Sequence, residues 1–178
     1  MKKLSFLSLM VAMALSLSVI ESLIPLPFIA PGVKLGISNI VILICIVFFG
    51  FKDSLIVGVL KSILLMLVTG AVTSFFYSLA GSLLSVISMN FAYKKIKSLS
   101  LIGVSLIGSS FHSIGQLLVA SIMLENIKMF NYLPILLLVG IFSGYFVGIS
   151  SIFTCEKLKK INIFNELMVD NNEKKQLR

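Results

Sequence analysis

Six apolar runs, at about 4–24, 36–50, 53–70, 72–93, 99–123 and 132–154, occupy most of this 178-residue chain. A helix needs roughly 20 apolar residues to cross a bilayer core, and most of these runs approach that length. The expected fold is all-α: one polytopic bundle of six transmembrane helices over 1–156, followed by a cytoplasmic tail at 157–178. Hydrophobic residues make up 58% of the chain and charged residues 12%, which leaves little for an extramembrane domain. The run at 36–50 is short for a bilayer, so it either tilts little or begins inside the protein. The stretch from Leu55 to Tyr93 is too long for one span, and Thr69-Gly70 is where it should turn.

Met1-Lys2-Lys3 before an apolar run has the outline of a secretory signal. The run continues to Ile24 without a small-x-small cleavage pattern, so it reads as the first span. Basic residues test the count independently, because Lys and Arg collect on the cytoplasmic side. With six spans and the N-terminus inside, Lys2, Lys3, Lys52, Lys94, Lys95, Lys97, Lys157, Lys159 and Lys160 share that side with the basic residues of the tail. Lys34 and Lys128 fall outside. The formal net charge of +8 is therefore mostly topology, and the split among short juxtamembrane loops argues against nucleic-acid binding. The expected location is the cell membrane, multi-pass, with both termini cytoplasmic. In the tail, Ile161, Phe164, Leu167 and Met168 share helical spacing that would suit an interfacial helix; disorder fits the composition equally.

Three of the four prolines, Pro25, Pro27 and Pro31, lie between the first two runs, ahead of Gly32-Val33-Lys34-Leu35-Gly36-Ile37-Ser38-Asn39. Such a loop is held in shape, and it is expected to cover a pocket at the outer surface with Lys34 and Asn39 near a helix mouth. Polar groups within the spans carry the remaining functional signal, since an ionisable group in hydrocarbon needs a cavity or a partner. Lys61 sits near mid-span, where it either meets a carbonyl or interface as a structural lysine or receives an anionic ligand. His112 and Gln116, four residues apart, share one helical face; they suit ligand contact or interhelical hydrogen bonding. Tyr77 falls at similar depth, and Glu21 is placed to neutralise Lys34. Lys34, Asn39, Lys61, Tyr77, His112 and Gln116 are the candidate substrate-binding residues.

Small residues recur every fourth position at Ser8, Ala12 and Ser16, a candidate contact face for a membrane partner, and at Gly140, Gly144 and Gly148, a candidate internal seam. Cys45 and Cys155 lie in separate runs and there is one histidine, so neither a disulfide nor a metal site is expected. No cofactor is expected.

Pro31 to Asn39, Tyr77-Ser78-Leu79-Ala80-Gly81 and His112-Ser113-Ile114-Gly115-Gln116 together resemble the signature stretches of the Gx transporter family, also called heptaprenyl diphosphate synthase component I. The resemblance covers about 4–155. Ser113 and Ser82 stand where that family usually carries Asn and Gly. The family is similar to the substrate-binding S components of energy-coupling-factor transporters, six-helix proteins that bind a small molecule near the outer surface. That similarity implies a covering loop at 25–35, a coupling face at Ser8, Ala12 and Ser16, and a separate energising ATPase module, since this chain has no P-loop. The family's other name implies a prenyl synthase partner. Prenyl transfer needs magnesium held by clustered carboxylates, whereas this chain has two aspartates, Asp53 and Asp170, and five scattered glutamates. It is not expected to be an enzyme. Two functions follow: a substrate-binding or transport component for a small anionic, isoprenoid or cofactor-related molecule, or a non-catalytic accessory subunit of heptaprenyl diphosphate synthase.

Overall fold

The computed structural model describes residues 2–23 and 34–160. The proline-bearing stretch at 24–33 and the tail from 161 lie outside the described residues, and with them most of the expected cover and the tail helix. The elements are α1 (Lys2–Ser22), α2 (Asn39–Phe48), α3 (Phe51–Thr69), α4 (Val72–Lys95), α5 (Leu101–Met123), a 3-10 turn (Ile127–Tyr132) and α6 (Leu133–Lys159). Among the described residues all regular structure is helical. Four helical stretches are long and apolar enough to cross a membrane: α1, α4, α5, and α6 with its leading turn. The chain is a membrane protein. In α3, Lys52, Asp53 and Lys61 interrupt the apolar run. The α2 helix, at ~1.5 Å per residue, is only about 15 Å long.

Local chemistry explains the breaks. Gly50, with φ of 84°, and Gly70, with φ of 68°, occupy the left-handed region that ends α2 and α3; the second is the turn expected at Thr69-Gly70. The Ser100 hydroxyl accepts the Gly103 N–H at 3.3 Å and caps α5. Pro134 sits in the first turn of α6, where its missing N–H leaves no intrahelical bond unmade.

Short α2 is the centre of the bundle, in contact with each of the other five helices. Eight of its ten residues are buried. Around it, α3, α4, α5 and α6 each pack on the next, and α1 lies against α2 and α3. At one end, Lys3 on α1 pairs with Asp53 on α3 at 2.9 Å. Ile46, Met89, Ala92 and Val104 share a core cluster toward that end, while Tyr77, Leu117, Ala120 and Leu136 form one toward the other. The helices therefore alternate in direction. Outward faces carry Phe142, Phe146, Phe153 and other large apolar side chains, as lipid contact requires.

Glycines set the helix separations. In α6, Gly140, Gly144 and Gly148 face Ser113, Ser109 and Ser105 of α5, and the Ser105 hydroxyl donates to the Gly144 carbonyl across this seam. The ridge in the last span is an internal packing surface. Between α4 and α5, a Cβ on Gly115 would lie 2.7 Å from the Ala80 carbonyl oxygen. That neighbour is backbone and cannot rotate away. Gly115→Ala is expected to destabilise the protein by about 1–3 kcal/mol through forced helix separation, read as a lower melting midpoint in detergent; an unchanged midpoint would contradict the packing.

Candidate functional site

Non-helical backbone at membrane depth is tolerated only where protein supplies its hydrogen bonds. Residues 34–38 are such a segment, running into α2 without helical structure. The Lys34 N–H donates to Gln116 Oε1 at 2.9 Å. The Gly36 N–H donates to Glu21 Oε1, and the Ile37 N–H reaches the same oxygen at 3.4 Å. The Leu35 carbonyl accepts from the Ser143 hydroxyl at 2.8 Å. At the start of α2, the N–H groups of Asn39, Ile40 and Val41 are occupied by the carbonyls of Gly36, Ile37 and Ser38.

The next shell of contacts follows from these. Gln116 Oε1 is committed as an acceptor, so its amide nitrogen donates to His112 Nε2 at 2.7 Å. His112 Nε2 is then the accepting nitrogen, which assigns the neutral ring's proton to Nδ1. The imidazole fits where two glycines leave room: a Cβ on Gly81 would lie 2.6 Å from His112 Cε1, and one on Gly36 would lie 3.1 Å from Cδ2. Gly36 also has φ of 82°, so this position requires glycine twice over.

Two cations close the group. Lys61 is 1% exposed and its ammonium donates to the Ser38 hydroxyl. Beside it, the Ser62 and Ser78 hydroxyls bond at 2.9 Å and fix α3 against α4. Lys34 is 7% exposed, and its Nζ has no hydrogen-bond partner among the described residues. Both lysines lie within electrostatic range of Glu21 and of each other. Asn39, 2% exposed, has neither amide atom hydrogen-bonded among the described residues; its Nδ2 lies near Gly36, beside the His112 ring. Residues from α1, α2, α3, α5 and the 34–38 segment thus converge at the bundle end opposite the Lys3–Asp53 pair.

A sequence profile described as heptaprenyl diphosphate synthase component I matches residues 10–154. The chain belongs to the heptaprenyl diphosphate synthase component I family. Comparison with curated proteins and with solved structures gave no match.

In this family member, five of the six candidate binding residues, Lys34, Asn39, Lys61, His112 and Gln116, are brought together. Tyr77 is buried one turn toward the start of α4, packed with Leu117, Ala120 and Leu136. Ser8, Ala12 and Ser16 lie on the exposed side of α1, where the Ser8 and Ser16 hydroxyls bond to the Leu4 and Ala12 carbonyls. Cys45 and Cys155 are both free thiols. Among the described residues no group of three or more His, Cys, Asp or Glu is placed to hold a metal. Sequence reasoning missed Ser38 as the acceptor for Lys61 and Glu21 as the acceptor for backbone; the signal for Glu21 was its position one span from a non-helical segment that needs acceptors.

Gln116→Leu removes the acceptor of the Lys34 N–H and the donor to His112 at once. Each buried group left unpaired costs about 1–3 kcal/mol, so a marked fall in the melting midpoint is expected; a midpoint equal to wild type would show that neither bond matters.

Proposed function

We propose that this protein is the substrate-binding component of a membrane transport system, S-component-like, that takes a small anionic molecule from the side opposite its basic loops. One observation carries the reading: two buried lysines converge with Asn39, His112 and Gln116, and the Lys34 ammonium and both Asn39 amide atoms have no partner among the described residues. Buried polar groups are ordinarily hydrogen-bonded, and the exceptions call for an explanation. An anion with a hydrogen-bonding function beside its charge supplies the missing partners.

Charge placement supports the orientation. Lys3, Lys52, Lys94, Lys95, Lys157 and Lys159 lie at the ends of α1, α3, α4 and α6, which the positive-inside rule assigns to the cytoplasm. The site then faces outward. The exposed Ser8, Ala12 and Ser16 face of α1 suits a separate energising subunit. A non-catalytic role agrees with the aspartates: Asp53 is paired with Lys3, and the other, Asp170, is in the tail with Glu166 and Glu173 and forms no aspartate-rich motif with Asp53. The family's description favours a second reading, an accessory membrane subunit of a prenyl synthase.

Mass spectrometry of the intact protein from native membranes tests the first reading. Wild type is expected to retain a small anion that Lys61→Met loses, with affinity lower by about tenfold or more, as for a charge-assisted hydrogen bond worth roughly 1.5–3 kcal/mol. The variant should remain folded, because methionine replaces a buried cation with an apolar chain. Equal retention by both proteins, or none by either, would overturn the reading. Copurification decides the partner: an ATPase-bearing module supports transport, and a soluble prenyl synthase supports the accessory role.

A further inference from the structure

Subtracting the bonds that serve the backbone leaves a defined remainder. Glu21 is held by the Gly36 and Ile37 N–H groups, Gln116 by Lys34 and His112, and Lys61 by Ser38. Within the cluster, the groups that have no hydrogen-bond partner among the described residues are the Lys34 ammonium, the Asn39 amide and His112 Nδ1. Lys34 therefore offers a charged contact, and Asn39 offers one neutral donor and one neutral acceptor.

The charge of the site can be counted. Its ionisable side chains are Lys34, Lys61 and Glu21, and His112 accepts from Gln116 as the neutral ring. Fully ionised, the group carries two positive charges and one negative. The stretch 24–33 contains no ionisable side chain, so it leaves this count unchanged. Glu125 and Lys128, at the same end of the bundle, are exposed and screened by solvent. Net charge buried away from water is unfavourable unless compensated. The missing compensation is a single negative charge.

We infer that the site selects a monoanion, its charged group received by Lys34 Nζ and an adjoining neutral polar group by the Asn39 amide, with Glu21 setting the charge it accepts. This rests on the substrate-binding reading above and narrows its ligand class. A diphosphate ester, the chemistry in the family's description, carries more negative charge than the site can neutralise. Glu21 is a selectivity residue in this scheme: it occupies part of the positive field in advance, so only one further charge is balanced.

The test uses three ring compounds of similar size and different charge: benzamide, benzoate and phthalate, with inorganic diphosphate as a fourth probe. Affinities are read from ligand-induced melting shifts of the full-length protein in a neutral detergent. Wild type is expected to bind benzoate at least about tenfold more tightly than benzamide, phthalate or diphosphate. Glu21→Gln retains an oxygen for the Gly36 and Ile37 N–H groups and raises the count by one, so its preference should move to phthalate. Lys34→Gln lowers the count by one and should move the preference to benzamide. If Glu21→Gln does not fold, the Lys34→Gln shift alone decides. Wild type preferring phthalate or diphosphate, or variants keeping the wild-type order, would overturn the charge rule while leaving an anion site in place. No shift with any probe in any of the proteins would overturn the rule together with the reading beneath it.

Discussion

The rest of the structure depends on one backbone constraint: the chain enters the bundle between α1 and α2 without helical hydrogen bonds. Water cannot satisfy backbone donors in hydrocarbon, so the N–H groups of Lys34, Gly36 and Ile37 must find side chains. Gln116 on α5 and Glu21 on α1 supply them. These contacts tie the first and fifth helices to the start of the second. They also explain why α2 can be short: it need not reach the membrane surface, because residues 34–38 complete its path inside protein. Placing a polar segment at this depth draws polar residues around it. The site is thus a consequence of how the backbone is satisfied before it is anything else.

Close helix approach is the second requirement, and small residues meet it. His112 reaches Gln116 only because Gly81 and Gly36 leave the volume its ring fills. Farther along the same helix, Gly115 rests on the Ala80 backbone, and the glycines of α6 lie on the serines of α5. Lipid gives no hydrophobic drive for helices to associate, so packing and interhelical bonds such as Ser105 to Gly144 must hold the bundle. The same close packing fixes the positions of the site residues. A looser α4–α5 contact would move His112, then Gln116, and then the backbone at Lys34.

Most of this architecture was legible in the residue pattern. Apolar runs and basic clusters located six helices within a few residues of where they lie, and α2 within a longer run whose ends are not helical. The face shared by His112 and Gln116 followed from a four-residue spacing. What composition could not show was pairing across helices. Ser38 is one of many serines, and only the fold sets it against Lys61. Glu21 lies within electrostatic range of Lys34, as its position suggested, and its carboxylate also accepts from the Gly36 and Ile37 backbone. Tyr77 lies one turn of α4 before Gly81, which borders His112, and its neighbours there are Leu117, Ala120 and Leu136. Depth is a one-dimensional quantity that hydropathy records, whereas azimuth in a packed bundle depends on every neighbour.

Backbone satisfaction accounts for Glu21, Gln116 and Ser143, and through Gln116 for His112. It does not account for the lysines. A buried segment that lacks acceptors has no use for an ammonium, which only donates. Lys61 bonds to a hydroxyl that a neutral donor could equally serve, while Lys34 Nζ bonds to nothing among the described residues. Burying a cation costs about 2.5–3.5 kcal/mol at the centre of a membrane helix on insertion scales, and a fold built for stability alone would place Met or Gln there. Two such cations beside a single carboxylate are an excess that packing cannot explain. In the proposed reading a negative charge arriving from outside the chain offsets it, and the lysines, more than the histidine or the glutamine, are what support that proposal.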